Sequence, residues 1–340
     1  MSHPVKIAPF QASELPLDAY SSLAVLVDEH TKAHCYPLVS EQLPEHTLIE
    51  IQSGEEHKNL QTCAEIWAAM TAAKLDRKSL MLNLGGGVIG DMGGFCAATY
   101  QRGIDFIQIP TTLLAQVDAS VGGKLGIDFQ GLKNQIGMFR DPVMVWVDPD
   151  FLQTLPEREL RSGFAEVIKH CLIQDAEKWA EISQKSLLEQ NFPDLIAHSV
   201  EIKRQIVTED PTEQGKRKLL NFGHTIGHAV ETYFLESEKE EKLLHGEAIA
   251  VGMIAESWIS WQRKMISEAD FKAVKTYIES IFGTVQVPSS AIPTILNYTK
   301  HDKKNERKKV FCSLLEGQLG QATFGIELSE EEIRAALEKF

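Results

Sequence analysis

No stretch of this 340-residue sequence approaches the roughly eighteen continuous apolar residues of a membrane-spanning helix, and no basic segment leads into an apolar run with a cleavage site. A cytoplasmic protein without a membrane partner is expected. Positive charge is short as well: 34 Lys and Arg against 48 Asp and Glu leave a net charge of −14. Nucleic acid is thereby excluded as a partner, because no broad basic surface exists to displace phosphate counterions. Any anionic ligand must be held by locally clustered Lys and Arg. Cysteine is sparse: Cys35, Cys63, Cys96, Cys171 and Cys312 are odd in number, scattered and without C-x-x-C spacing. That pattern supports neither a disulfide frame nor a thiolate metal site, and buried reduced thiols are expected. Internal repeats and low-complexity tracts are also missing.

What is present is an ordinary globular composition, 43% hydrophobic and 24% charged, long enough for two medium domains. In the first half, Leu23 to Val27, Thr47 to Ile51, Leu80 to Leu84, Phe106 to Ile109 and Val143 to Val147 are short apolar runs bounded by turn or charged residues. They predict buried strands. Apolar spacing predicts a helix over Glu55 to Lys74, and Gly87 to Tyr100 is a small-residue segment suited to packing on a sheet. This alternation implies a mainly parallel sheet with helices on its faces, with ligands at the strands' carboxyl ends. From Glu157 onward every predicted element is a helix: Glu157 to Ile173, Asp175 to Glu189, Asp194 to Thr208, Lys218 to Phe234, Gly246 to Lys264, Glu268 to Ser280 and Glu330 to Lys339. The expected fold is therefore an α/β N-terminal domain, residues 1–155, followed by an all-α C-terminal domain, residues 156–340. The charged segment Glu236 to Lys242 is a solvated connection.

The glycines cluster where ligands are expected, in Leu84-Gly85-Gly86-Gly87-Val88-Ile89-Gly90-Asp91. Glycines between a strand and a helix let backbone amides reach a pyrophosphate that the helix N-terminus favours. Thr111 and Thr112 end the next strand with two hydroxyls, and Asp28 ends the first with a carboxylate able to bind a ribose. A dinucleotide explains all three. Further on, Asp118-Ala119-Ser120-Val121-Gly122-Gly123-Lys124 and Lys133-Asn134 fit a phosphate or carboxylate clamp.

In the helical half, His224 and His228 stand four residues apart, one turn of a helix, and His245 follows. Glu166 and Lys169 are likewise one turn apart in an otherwise apolar segment. Three protein ligands with a position open to substrate oxygens suit a catalytic Zn²⁺. Periodicity makes His224, His228 and His245 the first trio, with Glu166 a structural ion-pair partner of Lys169. The spacing leaves the ligand set open.

Taken in order, Gly85-Gly86-Gly87-x-x-x-Asp91, the run from Pro110 to Lys124, Lys133-Asn134, the run from Gly163 to Lys169 and Asn221-Phe222-Gly223-His224-Thr225-Ile226-Gly227-His228 resemble the 3-dehydroquinate synthase family. The resemblance covers roughly residues 20 to 315. It implies a dehydroquinate synthase-like fold with a Rossmann-like NAD-binding domain, and a lyase of the second shikimate-pathway step. Its substrate would be 3-deoxy-D-arabino-heptulosonate 7-phosphate and its products 3-dehydroquinate and phosphate. Transient oxidation by NAD, phosphate elimination, reduction, ring opening and internal aldol closure connect them, with Zn²⁺ or Co²⁺ as the second cofactor.

By motif, the resemblance makes Glu166, His224 and His245 the metal ligands and moves His228 beside the substrate, where it assists proton movements. Catalytic roles are implied for His228, Lys169, Asp118 and Lys124. Substrate binding is implied for Asp118, Lys124, Asn134, Lys169, Lys203, Arg217, Asn221 and Lys303 or Lys304. The nucleotide positions are Asp28, Glu55, Lys58, Gly86, Gly87, Val88, Asp91, Thr111, Thr112, Leu114, Lys133 and Thr154. An arginine placed like Arg102 reaches the phosphate across a homodimer interface, so a homodimer is implied. Two departures stand out: Glu29-His30 follows Asp28 where many relatives carry an asparagine two residues after the acid, and the charged segment between His228 and His245 is long. The alternatives are a sugar phosphate cyclase of another specificity, a metal-dependent polyol dehydrogenase and an inactive nucleotide-binding scaffold. Lys203, Arg217, Asn221 and Lys303-Lys304 favour the carboxylate-bearing heptulosonate.

Overall fold

The structure, a computed structural model, describes residues 4–130, 132–238, 240–300 and 309–339. The chain divides into two compact units, Met1–Pro156 with Phe192–Arg204, and Glu157–Asn191 with Gln205–Phe340.

The first unit contains β1 (Val5–Ile7), β2 (Leu23–Asp28), α1 (Glu29–His34), α2 (Tyr36–Ser40), β3 (Thr47–Ile51), α3 (Leu60–Ala72), β4 (Leu80–Gly85), α4 (Gly87–Thr99), β5 (Asp105–Pro110), β6 (Lys124–Phe129), β7 (Leu132–Phe139) and β8 (Met144–Val147). Six strands form one sheet in the order β1-β8-β5-β4-β2-β3, parallel throughout. The five strands expected from apolar runs are all in it. Their runs are continuous because both faces are covered: Leu80, Leu82 and Leu84 enter one core with Val25 and Val27, while Met81 enters the other with Ala24 and Leu26. The chain leaves β2 toward β3 on one side and leaves β4 toward β5 on the other. The topological switch point, where open parallel sheets bind ligands, therefore lies between the carboxyl ends of β2 and β4. The antiparallel hairpin β6–β7 follows the Asp118 segment, which the sequence reading treated only as a clamp.

The remaining elements are α5 (Glu157–Gln174), α6 (Ala176–Ile182), α7 (Phe192–Glu209), α8 (His224–Glu236), α9 (His245–Gln262), α10 (Glu268–Phe282), α11 (Ile292–Lys300), β9 (Val310–Leu315), β10 (Ala322–Leu328) and α12 (Glu330–Leu337). Several expectations need correction: the predicted helix Asp175 to Glu189, for one, ends at Ile182 and is followed by a separate 3-10 turn, Leu187–Glu189. The C-terminal half is not all-α, because β9 and β10 form an antiparallel pair. The predicted helix Lys218 to Phe234 is broken: a 3-10 turn, Lys216–Asn221, ends before Gly223, whose φ of +78° takes the chain into the left-handed region before α8 begins. And the division at residue 155 would leave all of α7 in the second domain, whereas Phe192–Arg204 groups with the first unit. No helix among the described residues is long and apolar enough to cross a membrane. All five cysteines are free and buried.

In the second unit α9 is buried on nearly all sides, as a helix apolar all round must be. It crosses α8 and α5 at glycines. A Cβ on Gly252 would lie 2.7 Å from the Gly227 amide nitrogen and would overlap the Gly223 carbonyl oxygen. A Cβ on Gly246 would overlap the Ser162 carbonyl oxygen, and the Gly246 amide donates to Ser162 Oγ at 2.9 Å. Gly252→Ala is expected to cost about 1–3 kcal/mol, because only backbone movement could admit the methyl group. Thermal unfolding followed by circular dichroism would register this as a lowered midpoint, and an unchanged midpoint would refute so tight a crossing.

Candidate functional site

The second unit gathers five residues singled out from the sequence. Glu166 and Lys169 lie on consecutive turns of α5, both fully buried, and Lys169 Nζ donates to Glu166 Oε2. The other carboxylate oxygen, Oε1, is 3.5 Å from His224 Nε2 and 3.8 Å from His245 Nε2. His228 completes the group: the ligand atoms of His224, His228 and His245 all lie within 4.8 Å of one another. Both sets of three considered from the sequence therefore converge, sharing His224 and His245.

The local chain explains this convergence. Gly223 opens α8 without a capping side chain of its own, and the buried carboxylate of Glu256 on α9 serves instead. Its Oε2 accepts from the Gly223 amide at 2.6 Å and its Oε1 from the Ile226 amide at 3.2 Å. A carboxylate at a helix N-terminus is favoured by both amide donors and dipole. It ties the start of the histidine helix to the helix that His245 begins. Strand β9 buttresses the same region, Phe311 O accepting from Thr225 Oγ1 at 3.1 Å and Ser313 Oγ donating to Lys218 O at 2.8 Å. Arg158 forks onto Glu247 with two bonds of 2.8 Å and donates to Lys242 O at 2.9 Å, closing the charged connection onto the first turn of α9.

Hydrogen bonding also orients the rings. His224 Nδ1 lies 3.1 Å from the Phe222 carbonyl, which can only accept, so the proton sits on Nδ1 and the Nε2 lone pair faces Glu166. His245 Nδ1 lies 3.4 Å from Glu231 Oε2, leaving its Nε2 on the Glu166 side. Two imidazole lone pairs and a carboxylate oxygen directed at one another repel unless positive charge lies among them. His245 registers that field. Burial opposes charge on its ring, but Glu231 and then Glu166 outweigh burial and push its pKa up to about 9. Imidazole and carboxylate donors of this number suit a borderline divalent cation such as Zn²⁺ or Co²⁺, so the residues present fit the metal expected.

Arg217 and Asn221 stand on the 3-10 turn before Gly223 rather than on the histidine helix. Arg217 Nη1 donates to Pro211 O at 2.6 Å, and Asn221 Nδ2 donates to Glu213 Oε1 at 2.6 Å. Lys303 and Lys304 lie outside the described residues. The sequence reading missed Glu213, Glu231 and Glu256. Glu231 could have been found, since with His224 and His228 it completes an i, i+4, i+7 face.

In the first unit Gly86 caps α4 with no side-chain bond, leaving the amides of Gly87 and Val88 at the open end of the helix. A Cβ on Gly86 would come within 3.1 Å of Thr112 Cγ2, so this glycine keeps a cradle open beside the threonines. That cradle and the uncapped amides fit a pyrophosphate. Thr111 is buried, its amide donating to Gly85 O at 3.0 Å, and Thr112 Oγ1 accepts from the Ala115 amide at 3.2 Å. Asp28 ends β2 at the switch point and also caps α1, Oδ1 accepting from the Thr31 amide at 2.7 Å. Glu29 binds the next loop through the Ser53 amide, 2.9 Å, and hydroxyl, 2.7 Å.

Beside α4, Lys58 is buried and donates to Asp91 Oδ2 at 2.6 Å and Asn134 Oδ1 at 2.7 Å. Burial works against its charge, but Asp91 and Glu55 outweigh burial and hold the amine above the ordinary lysine value. Lys133 Nζ lies 3.7 Å from the same Glu55. After Leu114 the chain makes a π-helical turn, Ala115–Ala119, and Lys203 Nζ reaches Asp118 Oδ1 at 2.8 Å. Both residues lie within the first unit. Lys124 begins β6 and is exposed, Thr154 is exposed at the end of a 3-10 turn, and Arg102 is exposed with a φ of +72°.

Residues 48–162 match the family described as 3-dehydroquinate synthase N-terminal, and residues 163–305 match 3-dehydroquinate synthase C-terminal. A 3-dehydroquinate synthase of Parabacteroides distasonis is 40% identical over 325 residues, spanning 94% of this chain and 91% of the relative. Among solved structures, the 2-epi-5-epi-valiolone synthase of Streptomyces hygroscopicus with NAD⁺ and Zn²⁺ bound matches with a TM-score of 0.88 at 27% identity, over 100% of this chain and 96% of that one. A 2-deoxy-scyllo-inosose synthase complexed with carbaglucose-6-phosphate, NAD⁺ and Co²⁺ matches with a TM-score of 0.85 at 25% identity, over 98% and 96%. Motif order, parallel-sheet fold and the converging carboxylate and imidazoles agree with these matches, and the chain belongs to the 3-dehydroquinate synthase family.

Proposed function

We propose that this chain converts 3-deoxy-D-arabino-heptulosonate 7-phosphate into 3-dehydroquinate and phosphate, acting as a carbon–oxygen lyase with NAD⁺ and Zn²⁺ or Co²⁺. The observation that carries the mechanism is the approach of Glu166 Oε1 to two imidazole nitrogens at 3.5 and 3.8 Å. Glu166, His224 and His245 hold the metal, and Gly86, Gly87, Val88, Thr111 and Thr112 hold the dinucleotide, with Asp28 on its ribose. When bound, the cation supplies Lewis acidity to substrate hydroxyls and the nicotinamide a reversible two-electron oxidation.

The chain's own residues do the remainder. Lys124, Asn134, Lys203, Arg217 and Asn221 bind the phosphate and carboxylate, meeting the requirement for local cations that a net charge of −14 imposes. Lys169 neutralises one oxygen of Glu166, so that the carboxylate keeps the other for the metal. A ring nitrogen of His228 takes up and returns a proton beside the substrate. Lys58 and Glu55 fix Asp91, Asn134 and Lys133 relative to the glycine turn. We infer further a cytoplasmic homodimer in which exposed Arg102 reaches the phosphate in the partner's site. A cyclase of another specificity is the second reading, because valiolone and inosose synthases match this fold closely.

Incubation with the heptulosonate phosphate, NAD⁺ and metal is expected to release phosphate and dehydroquinate in equal amounts without net NADH. Phosphate released with a different carbocycle would establish the second reading, and net NADH would mark a dehydrogenase. Glu166→Gln or His245→Ala should empty the metal site while leaving the circular dichroism spectrum intact, and full metal content in either would remove that residue from the ligand set. His228→Ala should retain close to one metal per chain and slow turnover by ~10²–10⁴-fold. Loss of its metal would instead identify three histidines as the ligands.

A further inference from the structure

Glu231 has no part in the roles assigned above. It lies on α8 one turn beyond His228, its side chain is only 7% exposed, and its Oε2 is 3.4 Å from His245 Nδ1. The opposite nitrogen of that ring, Nε2, lies 3.8 Å from Glu166 Oε1. A neutral imidazole carries its proton on one nitrogen only. When a cation takes the place of the ring's second proton, a carboxylate at Nδ1 keeps the remaining proton there and leaves the Nε2 lone pair on the side of Glu166. His224 is arranged likewise by different means, its Nδ1 proton going to the Phe222 carbonyl at 3.1 Å.

We propose that Glu231 is the positioning residue of this centre: by accepting the Nδ1 proton of His245 it fixes the ring's tautomer and orientation, so that Nε2 is presented to a divalent cation. Three features give it that role. The carboxylate is buried, so its preference for a donor is not satisfied by bulk water. It shares one helical face with His224 and His228, at i, i+4 and i+7, so a single rigid element holds two cluster members and the orienter of a third. His245 stands at the first position of α9, where the Leu244 backbone alone would leave the ring free to turn about its Cα–Cβ bond. The inference rests on the reading of this cluster as a metal centre, and it holds for either set of ligands, since both contain His245.

The experiment is Zn²⁺ titration of metal-stripped, full-length protein against a chromophoric chelator, for the wild type, Glu231→Ala and Glu231→Gln. The wild type should take up one ion per chain. Glu231→Ala should bind it ~10–100-fold more weakly with unchanged stoichiometry. Glu231→Gln, whose amide oxygen still accepts from Nδ1, should retain more of the affinity. Equal affinity in the wild type and folded Glu231→Ala would overturn the proposal, as would Glu231→Gln binding as weakly as Glu231→Ala. Should Glu231→Ala fail to fold, Glu231→Gln decides alone. In the Zn²⁺-loaded protein the Nδ1 proton resonance of His245 should move upfield when a neutral acceptor replaces the carboxylate, and an unmoved resonance overturns the proposal. With Co²⁺, a visible spectrum in Glu231→Gln altered as in Glu166→Gln would make Glu231 a ligand and overturn it too. A wild type that binds no Zn²⁺ would overturn the metal-centre reading itself, and this inference with it.

Discussion

A carboxylate removed from water must be met by donors or positive charge, and Glu166, completely buried on α5, sets that demand at the centre of the second unit. One oxygen is answered by Lys169 on the same helix. The other faces imidazole nitrogens of two other helices. Histidine side chains are short, so those helices must come close, and they do so at Gly252 and Gly246, where any side chain would strike the backbone of a neighbour. The start of α8 needs a cap at that crossing, which Glu256 provides. Polar centre and tight packing are thus two consequences of one geometry.

The first unit meets a different requirement, that of holding an anion on an acidic protein. Its parallel sheet places a bare helix N-terminus at the switch point, where backbone amides attract phosphate without any cationic side chain. Cations enter singly, each fixed by a nearby acid or amide: Lys58 by Asp91 and Asn134, Lys203 by Asp118, Lys133 near Glu55. Pairing of this kind holds each lysine in place while the net charge stays at −14.

Much of this was legible in the residue order. Strands buried on both faces are continuous apolar runs, so the five inner and flanking strands of the sheet were found. β1, only three residues long, was not. The hairpin β6–β7 escaped because Lys124, Gly126 and Asp128 in one strand and Lys133, Asn134, Gln135 and Gly137 in the other interrupt any continuous apolar run. β9 and β10 escaped because a late strand pair among helices has little local signal. The break at Gly223 was hidden by a helical apolar pattern running through it, a pattern that left-handed backbone at a single residue does not disturb. Family motifs supplied what periodicity lacked, drawing Glu166 in beside His224 and His245.

The sequence by itself determined the fold class of the first half, the glycine turn after β4, the need for clustered cations and the face carrying His224 and His228. These follow from periodicity, composition and local backbone preference, which act over a few neighbouring residues. Tertiary structure alone decided that Glu166 lies between His224 and His245, that Glu256 caps a helix thirty residues away in sequence, and that Glu231 stands behind His245. Such relations depend on the crossing of α5, α8 and α9, and a crossing is set by which side chains are small enough at the point of contact.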